Sequence, residues 1–162
     1  MLIDPSPAQG EMTQRDCTSD DVDRALIDTR TIAMVGASPD PARPSYGVMR
    51  YLQKVGYRVI PVNPTAVRHS IRGERVYSSL ATVPERFEMV NVFRRSSEVR
   101  GIVEEILPLI ADKGIRYLWL QLQICDAVSA ERARHAGIQV IMDRCVKTEH
   151  RRLVTSRQGL ET

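Results

Sequence analysis

Apolar residues gather along this chain in five short, nearly unbroken runs, at 32–35, 58–62, 89–93, 115–121 and 138–142. Each has the length of a β-strand, and none alternates apolar with polar residues. That is the pattern of strands covered on both faces. Between the runs the spacing changes to that of helices. Thr18, Ser19, Asp20 and Asp21 open one whose acidic first turn suits the helix dipole, with Val22, Ala25 and Leu26 as its apolar stripe. Val48, Leu52 and Val55 share one face of a helix over 45–54, and Gly56 supplies its left-handed stop. Val99, Ile102, Val103 and Ile106 line the next, which Pro108 kinks or ends early and Gly114 closes. Asp126 caps another through Ala127, Ala130 and Ala133, stopped at Gly137. A polar loop is expected over 65–73, a short edge segment over 74–77, a helical turn over 79–83, and a polar turn with a short terminal helix over 143–153. This order of elements predicts an α/β fold: a Rossmann-like, open, mainly parallel sheet of about five strands with helices on both faces.

Composition narrows the picture. A chain of 162 residues with 43% hydrophobic and 27% charged residues fits one globular domain with short tails. Residues 1–17, mixed in Pro, Gly, Ser and charge without period, read as a disordered arm, 18–154 as the domain, and 155–162 as a frayed tail. The net charge of +3 suits an anionic small molecule, and no dense basic run points to nucleic acid. No apolar stretch approaches a membrane span, and the N-terminus lacks the apolar core of a signal peptide. Cys17, Cys125 and Cys145 are odd in number and widely spaced. They suggest neither a disulfide framework nor a metal site, and reduced thiols in a cytoplasm fit best.

Candidate chemistry concentrates where the first strand runs into Gly36-Ala37-Ser38, then a loop with Pro39, Pro41 and Pro44, then a helix opening near Ser45. Strand, glycine turn and helix present backbone N–H groups and a positive dipole end to a phosphate. The same layout also serves as an ordinary tight turn with nothing bound. In an open parallel sheet, ligands sit beyond the carboxyl ends of the strands. The segments placed there are 36–43, Asn63 with Pro64, 93–97 and 121–125. A nicotinamide cofactor is disfavoured. The loop holds one glycine rather than G-x-G-x-x-G, and the second strand ends in Asn63-Pro64 without a carboxylate for the ribose. A Walker loop is absent too.

Four blocks, VGASPDPARPSYGVMRYLQKVGYRVIPVNP, VFRRS, WLQLQ and MDRCVKTEHRRL, occur in that order. Together they resemble the small stand-alone CoA-binding proteins of bacteria, whose domain is related to the CoA-binding N-terminal domain of the succinyl-CoA synthetase α subunit. The resemblance runs from about residue 26 to 153. It implies a Rossmann-like fold and binding of CoA or an acyl-CoA. It implies no settled reaction, because single-domain members lack the ligase's phosphohistidine and grasp machinery. On this resemblance Gly36, Ala37 and Ser38 match the loop that meets the CoA diphosphate through backbone amides. Arg43 and Ser45 match its end, as phosphate contact and as hydroxyl or helix cap. Asn63 and Pro64 match the segment beside the adenosine, and Phe93 and Arg94 the turn flanking adenine or the pantetheine arm. Gln123 departs from the pattern, since related chains carry glycine there. A glycine permits close approach or positive φ, whereas glutamine adds bulk.

The remaining candidates divide between chemistry and packing. Cys145 is the one candidate nucleophile, helped by Arg144, Lys147 or a helix start, and it is equally a buried structural thiol. Gln121 points into the pocket or ends the strand, and Lys147 contacts a phosphate or forms a salt bridge in its helix. Trp119 belongs to the core, and His150 with Glu149 and Arg151 to helix packing. Arg95 reads as a solvated charge, as do Arg68, His69 and Arg72. The expected function is therefore a cytoplasmic CoA-binding module for binding, sensing or carriage. The alternatives are a CoA-dependent transferase or CoA-thiol redox enzyme using Cys145 and, more weakly, an NAD(P)-binding oxidoreductase. A homodimer is compatible with the short sheet edges.

Overall fold

The computed structural model describes residues 17–160. The arm expected over 1–17 thus lies, apart from Cys17, outside the described residues. The elements in chain order are α1 (Ser19–Asp28), β1 (Thr31–Val35), α2 (Pro44–Lys54), β2 (Arg58–Val62), a hairpin of β3 (Ser70–Ile71) and β4 (Glu74–Arg75), β5 (Met89–Val92), α3 (Val99–Ile106), α4 (Ile110–Lys113), β6 (Tyr117–Leu120), α5 (Ala127–His135), β7 (Gln139–Ile141) and α6 (Val146–Gln158). Five strands form one parallel sheet in the order β2-β1-β5-β6-β7. The chain builds outward from β1 to β2, then returns past β1 to β5, so the switch point falls between β1 and β5.

The unalternating apolar strands are indeed covered twice. Ile32 and Met34 of β1 face α1, α2 and α6 together with Val59, Met89, Tyr117 and Trp119. Ala33 and Val35 face α3 and α5 together with Ile60, Val90, Val92 and Leu118. Each strand therefore supplies residues to both layers of core. Trp119 is fully buried and donates its indole N–H to the Arg144 carbonyl at 2.8 Å, so a core side chain also fixes the turn into α6.

Two local expectations change, and a third, the early stop at Pro108, is met. The loop over 65–73 contains β3, paired antiparallel with β4, because Ile71 buries its side chain against the layer of α1, α2 and α6. Pro108 ends α3 at Ile106. A 3-10 turn at Leu107–Leu109 absorbs the missing N–H before the chain resumes as α4. The terminal helix runs to Gln158 rather than stopping near Leu153. Leu153 is buried, Arg152 bridges Glu149 and Asp23, and the Thr155 and Ser156 hydroxyls donate to carbonyls four residues back.

His150 sits on the inner side of α6, ring edges against Tyr51 and Tyr57, with Nδ1 2.8 Å from the Tyr51 hydroxyl. Burial holds its pKa below the ordinary 6.5. The unfolded chain therefore takes up the proton first as pH falls. This group's contribution is constant at neutral pH and is lost as pH drops below about 6.5 toward the depressed native value. The acid side of a Tm-against-pH curve should be flatter for His150→Asn than for the parent, and an unchanged slope below pH 6.5 would refute this origin.

Candidate functional site

The carboxyl ends of β1, β2, β5 and β6 open into a cavity of about 1070 Å3. Its floor begins at the loop after β1. Gly36 takes φ +82°, and its N–H donates to the Val62 carbonyl at 2.8 Å. A Cβ at this position would lie 2.6 Å from the Phe93 carbonyl oxygen, so only glycine lets the loop close onto the turn after β5. Ser38 N–H donates to the buried Ser45 Oγ at 3.1 Å. The Ser45 hydroxyl thereby accepts from the loop and keeps its own O–H to donate, while the Gly36 and Ser38 amides are both spent. At the start of α2 the cap residue is Arg43, whose side chain accepts nothing, Pro44 follows it, and the first turn holds no acidic residue. A cation at a helix start opposes the dipole, and an anion bound there would relieve that.

Asn63, 8% exposed, ties this loop to the next. Its Nδ2 donates to the Ala37 carbonyl at 2.8 Å. Its Oδ1 accepts from Thr65 N–H, from Thr65 Oγ1 and, at 3.0 Å, from Arg94 Nη2. Asn63 thus holds the Gly36 loop from below and aims Arg94 across it. An aspartate, the residue a dinucleotide site would want here, would set carboxylate against the Ala37 carbonyl.

The far end of the cavity has a different character. Arg43 in the loop after β1 and Arg94 and Arg95 in the turn after β5 line part of the cavity, while Leu122 and Ile124 after β6 and Cys145 before α6 line another part. Gln121 is 5% exposed, and its amide joins three elements. Nε2 donates to Asn91 Oδ1, and Oε1 accepts from the Val146 N–H at 3.3 Å, the first residue of α6. Asn91 Nδ2 has no partner among the described residues. An asparagine inside the run MVNVF is a signal the sequence offered and its periodicity did not weigh.

Of the residues singled out from sequence, Gly36, Ser38, Arg43, Ser45, Asn63, Phe93, Arg94, Gln121 and Cys145 line this one cavity. Three do not. Ala37 is buried behind the loop and offers its carbonyl to Asn63. Pro64 is exposed beside it. Lys147 Nζ stands over the Tyr51 ring, 5.7 Å from its centroid. Sequence reasoning left out Val48 and Glu98, which also line the cavity. Cys145 is partly buried, and no hydrogen bond reaches its Sγ among the described residues. His150, the histidine of the same helix, is turned toward Tyr51. Among the described residues no group of His, Cys, Asp and Glu could hold a metal ion, and no helix is long and apolar enough to cross a membrane.

Gln123 settles what glutamine does at a position expected to be glycine. It keeps the left-handed conformation, φ +65°, anchored by its N–H to Asp143 Oδ1 at 2.7 Å. A non-glycine residue in that region carries strain of about 1 kcal/mol. Gln123→Gly should raise stability by about 0.5–1 kcal/mol and Tm by about 2–3 °C, and thermal denaturation of the two proteins decides it. A lower Tm would show that the glutamine side chain stabilises the turn.

A parallel sheet with its switch point over a deep cleft and a glycine turn beside it defines a Rossmann-like domain. The comparisons with known proteins agree: the residue pattern of the CoA binding domain family matches residues 30–151, and the chain belongs to that family. It is 35% identical over 130 residues to Uncharacterized protein YneT of Bacillus subtilis, covering 80% of this chain and 92% of that protein. It is 26% identical over 128 residues to Acetate--CoA ligase [ADP-forming] I subunit alpha of Pyrococcus furiosus, covering 72% of this chain but only 28% of that subunit. Among solved structures, cell-free ID.343 from Thermus thermophilus superposes with a TM-score of 0.78 at 36% identity, over 84% of this chain and 98% of that one. A hypothetical protein from Pyrococcus horikoshii OT3 does so with 0.77 at 31%, over 94% and 99%.

Proposed function

We propose that this protein binds CoA or an acyl-CoA in the cleft above the sheet and acts as a non-catalytic binding, sensing or carrier module. The observation that carries the proposal is the polarity of the cleft in a chain of the CoA binding domain family: arginines from the turns after β1 and β5, apolar side chains from the turn after β6. Arg43 and Arg94 bracket the Gly36 loop and hold the diphosphate by charge-assisted hydrogen bonds. The adenosine lies toward Asn63, and the pantetheine arm runs toward Gln121 and Cys145. From β2 to β6 is three strand spacings, about 14 Å. The three free cysteines fit a reducing cytoplasm.

Thermal shifts with CoA, dephospho-CoA, acetyl-CoA and NADH, measured side by side, test this. A ligand at 100 times its Kd adds about 2.7 kcal/mol, several degrees in a chain of this size. CoA should raise Tm, dephospho-CoA should raise it less, and NADH should leave it unchanged. No shift with CoA would overturn the proposal. One observation favours a thiol-exchange reading beside it: Cys145 lies at the apolar end of the cleft. Its Sγ would displace one thiolate from CoA disulfide and form a mixed disulfide. Mass spectrometry of the parent and Cys145→Ser after exposure to CoA disulfide separates the two readings.

A further inference from the structure

The cleft does not end at Cys145. Leu122 and Cys145 also line a second cavity of about 360 Å3, walled beyond them by Met142, Thr148 and the Arg144–Glu149 pair. The two residues are thus a shared wall between a ligand cleft and a smaller space next to its apolar end. We propose that this second cavity receives an uncharged aliphatic acyl chain carried on the thiol of CoA, so that the protein prefers acyl-CoA to CoA. The proposal rests on CoA lying in the cleft with its thiol end at Cys145.

The chemistry of the walls selects the chain. Arg144 Nη1 lies 3.2 Å from Glu149 Oε1, and Glu149 Oε2 lies 3.0 Å from Arg152 Nε. Asp143 Oδ1 is occupied by the Gln123 N–H. The side chains lining the cavity thus carry two carboxylates against one guanidinium, so its wall repels a carboxylate on the ligand. What is left to contact a ligand is Leu122, 60% exposed, the flexible thioether of Met142 and the thiol of Cys145. Methionine adapts to chains of differing length. Leu122 sits on the shared wall, where an acyl chain passing between the cavities would cover it. The space equals that of about a dozen water molecules, enough for a chain of several carbons and too small for a long fatty acyl group.

Calorimetric titration of the full chain with CoA and its acetyl, butyryl, hexanoyl and succinyl thioesters tests the proposal, in parallel with Thr148→Trp. Thr148 is exposed in the first turn of α6 and lines only the second cavity, so the indole fills it without entering the cleft. In the parent, affinity should rise roughly two- to fourfold for each methylene buried from acetyl to hexanoyl. Succinyl-CoA should bind no tighter than acetyl-CoA. Thr148→Trp should bind CoA as the parent does and lose the dependence on chain length. Equal affinity of the parent for CoA and hexanoyl-CoA would overturn the acyl cavity while leaving CoA binding standing. So would a chain-length gain undiminished in the variant. No binding of CoA itself would overturn the underlying reading and this one with it. If the variant does not fold, the series on the parent still decides.

Discussion

Gly36→Ala should cost about 3 kcal/mol of stability, lower Tm by roughly 10 °C, and remove CoA binding. Two independent terms add. An alanine held at φ +82° pays about 1–2 kcal/mol for the left-handed conformation. Its Cβ would also stand 2.6 Å from the Phe93 carbonyl oxygen, a backbone atom that cannot rotate away. The Phe93 N–H is itself bonded to the Val35 carbonyl at 2.8 Å, and the Gly36 N–H to the Val62 carbonyl at 2.8 Å. Relief must therefore come from moving the loop off the turn that carries Arg94. Arg94 is already tight against this position, its Nε 3.2 Å from where the Cβ would lie. Loop and arginine would separate, and the diphosphate would lose one side of its cradle. Chemical denaturation and a CoA titration measure the two effects. A variant as stable as the parent would show that the loop tolerates displacement, and full CoA affinity would show that the cradle lies elsewhere.

Asn63→Ala should combine a stability loss of about 2–3 kcal/mol with at least a tenfold loss of CoA affinity, whereas Arg94→Ala should lose the affinity and little of the stability. Asn63 is buried and serves both its neighbours' polar groups. Removing its amide strands the buried Ala37 carbonyl out of water, at about 1–3 kcal/mol for a buried group left unpaired, and frees the exposed Thr65. Arg94 is only half-buried, and its guanidinium keeps other N–H groups for the cleft. If Asn63 acts on the ligand by aiming Arg94, the double variant should bind CoA hardly worse than Arg94→Ala alone. Such non-additivity is the signature of residues working as a unit. Strictly additive losses would mean that Asn63 meets the ligand by its own contacts or through the Ala37 loop. A CoA affinity unaffected by Arg94→Ala would remove the charge-assisted contact from the proposed site.

The amino-acid sequence alone determined the strands, the double-sided core and the end of the sheet where ligands gather. These follow from short-range chemistry. A strand covered on both faces is apolar almost throughout, as 32–35 is and as 89–93 is but for Asn91. A βα turn with a glycine needs no distant partner to be recognised, so Gly36 was legible as well. The blocks of the CoA-binding family were legible for the same reason, as contiguous residues. Only the tertiary structure decided what the polar side chains do. Ser45 reads as a ligand contact or a helix cap, and its Oγ is seen accepting the N–H of Ser38, seven residues back. Lys147 carries the same charge as Arg43, yet its helix faces it to Tyr51, while Arg43 lines the cleft. Asn63, in sequence a candidate beside the adenosine, becomes the joint between three segments because Ala37, Thr65 and Arg94 converge on one amide. Gln123 takes a glycine's backbone angle because Asp143, 20 residues on, holds its N–H. A hydrogen bond is directional and acts over about 3 Å. Its partner is therefore fixed by the placement of whole elements, which no local pattern of residues encodes.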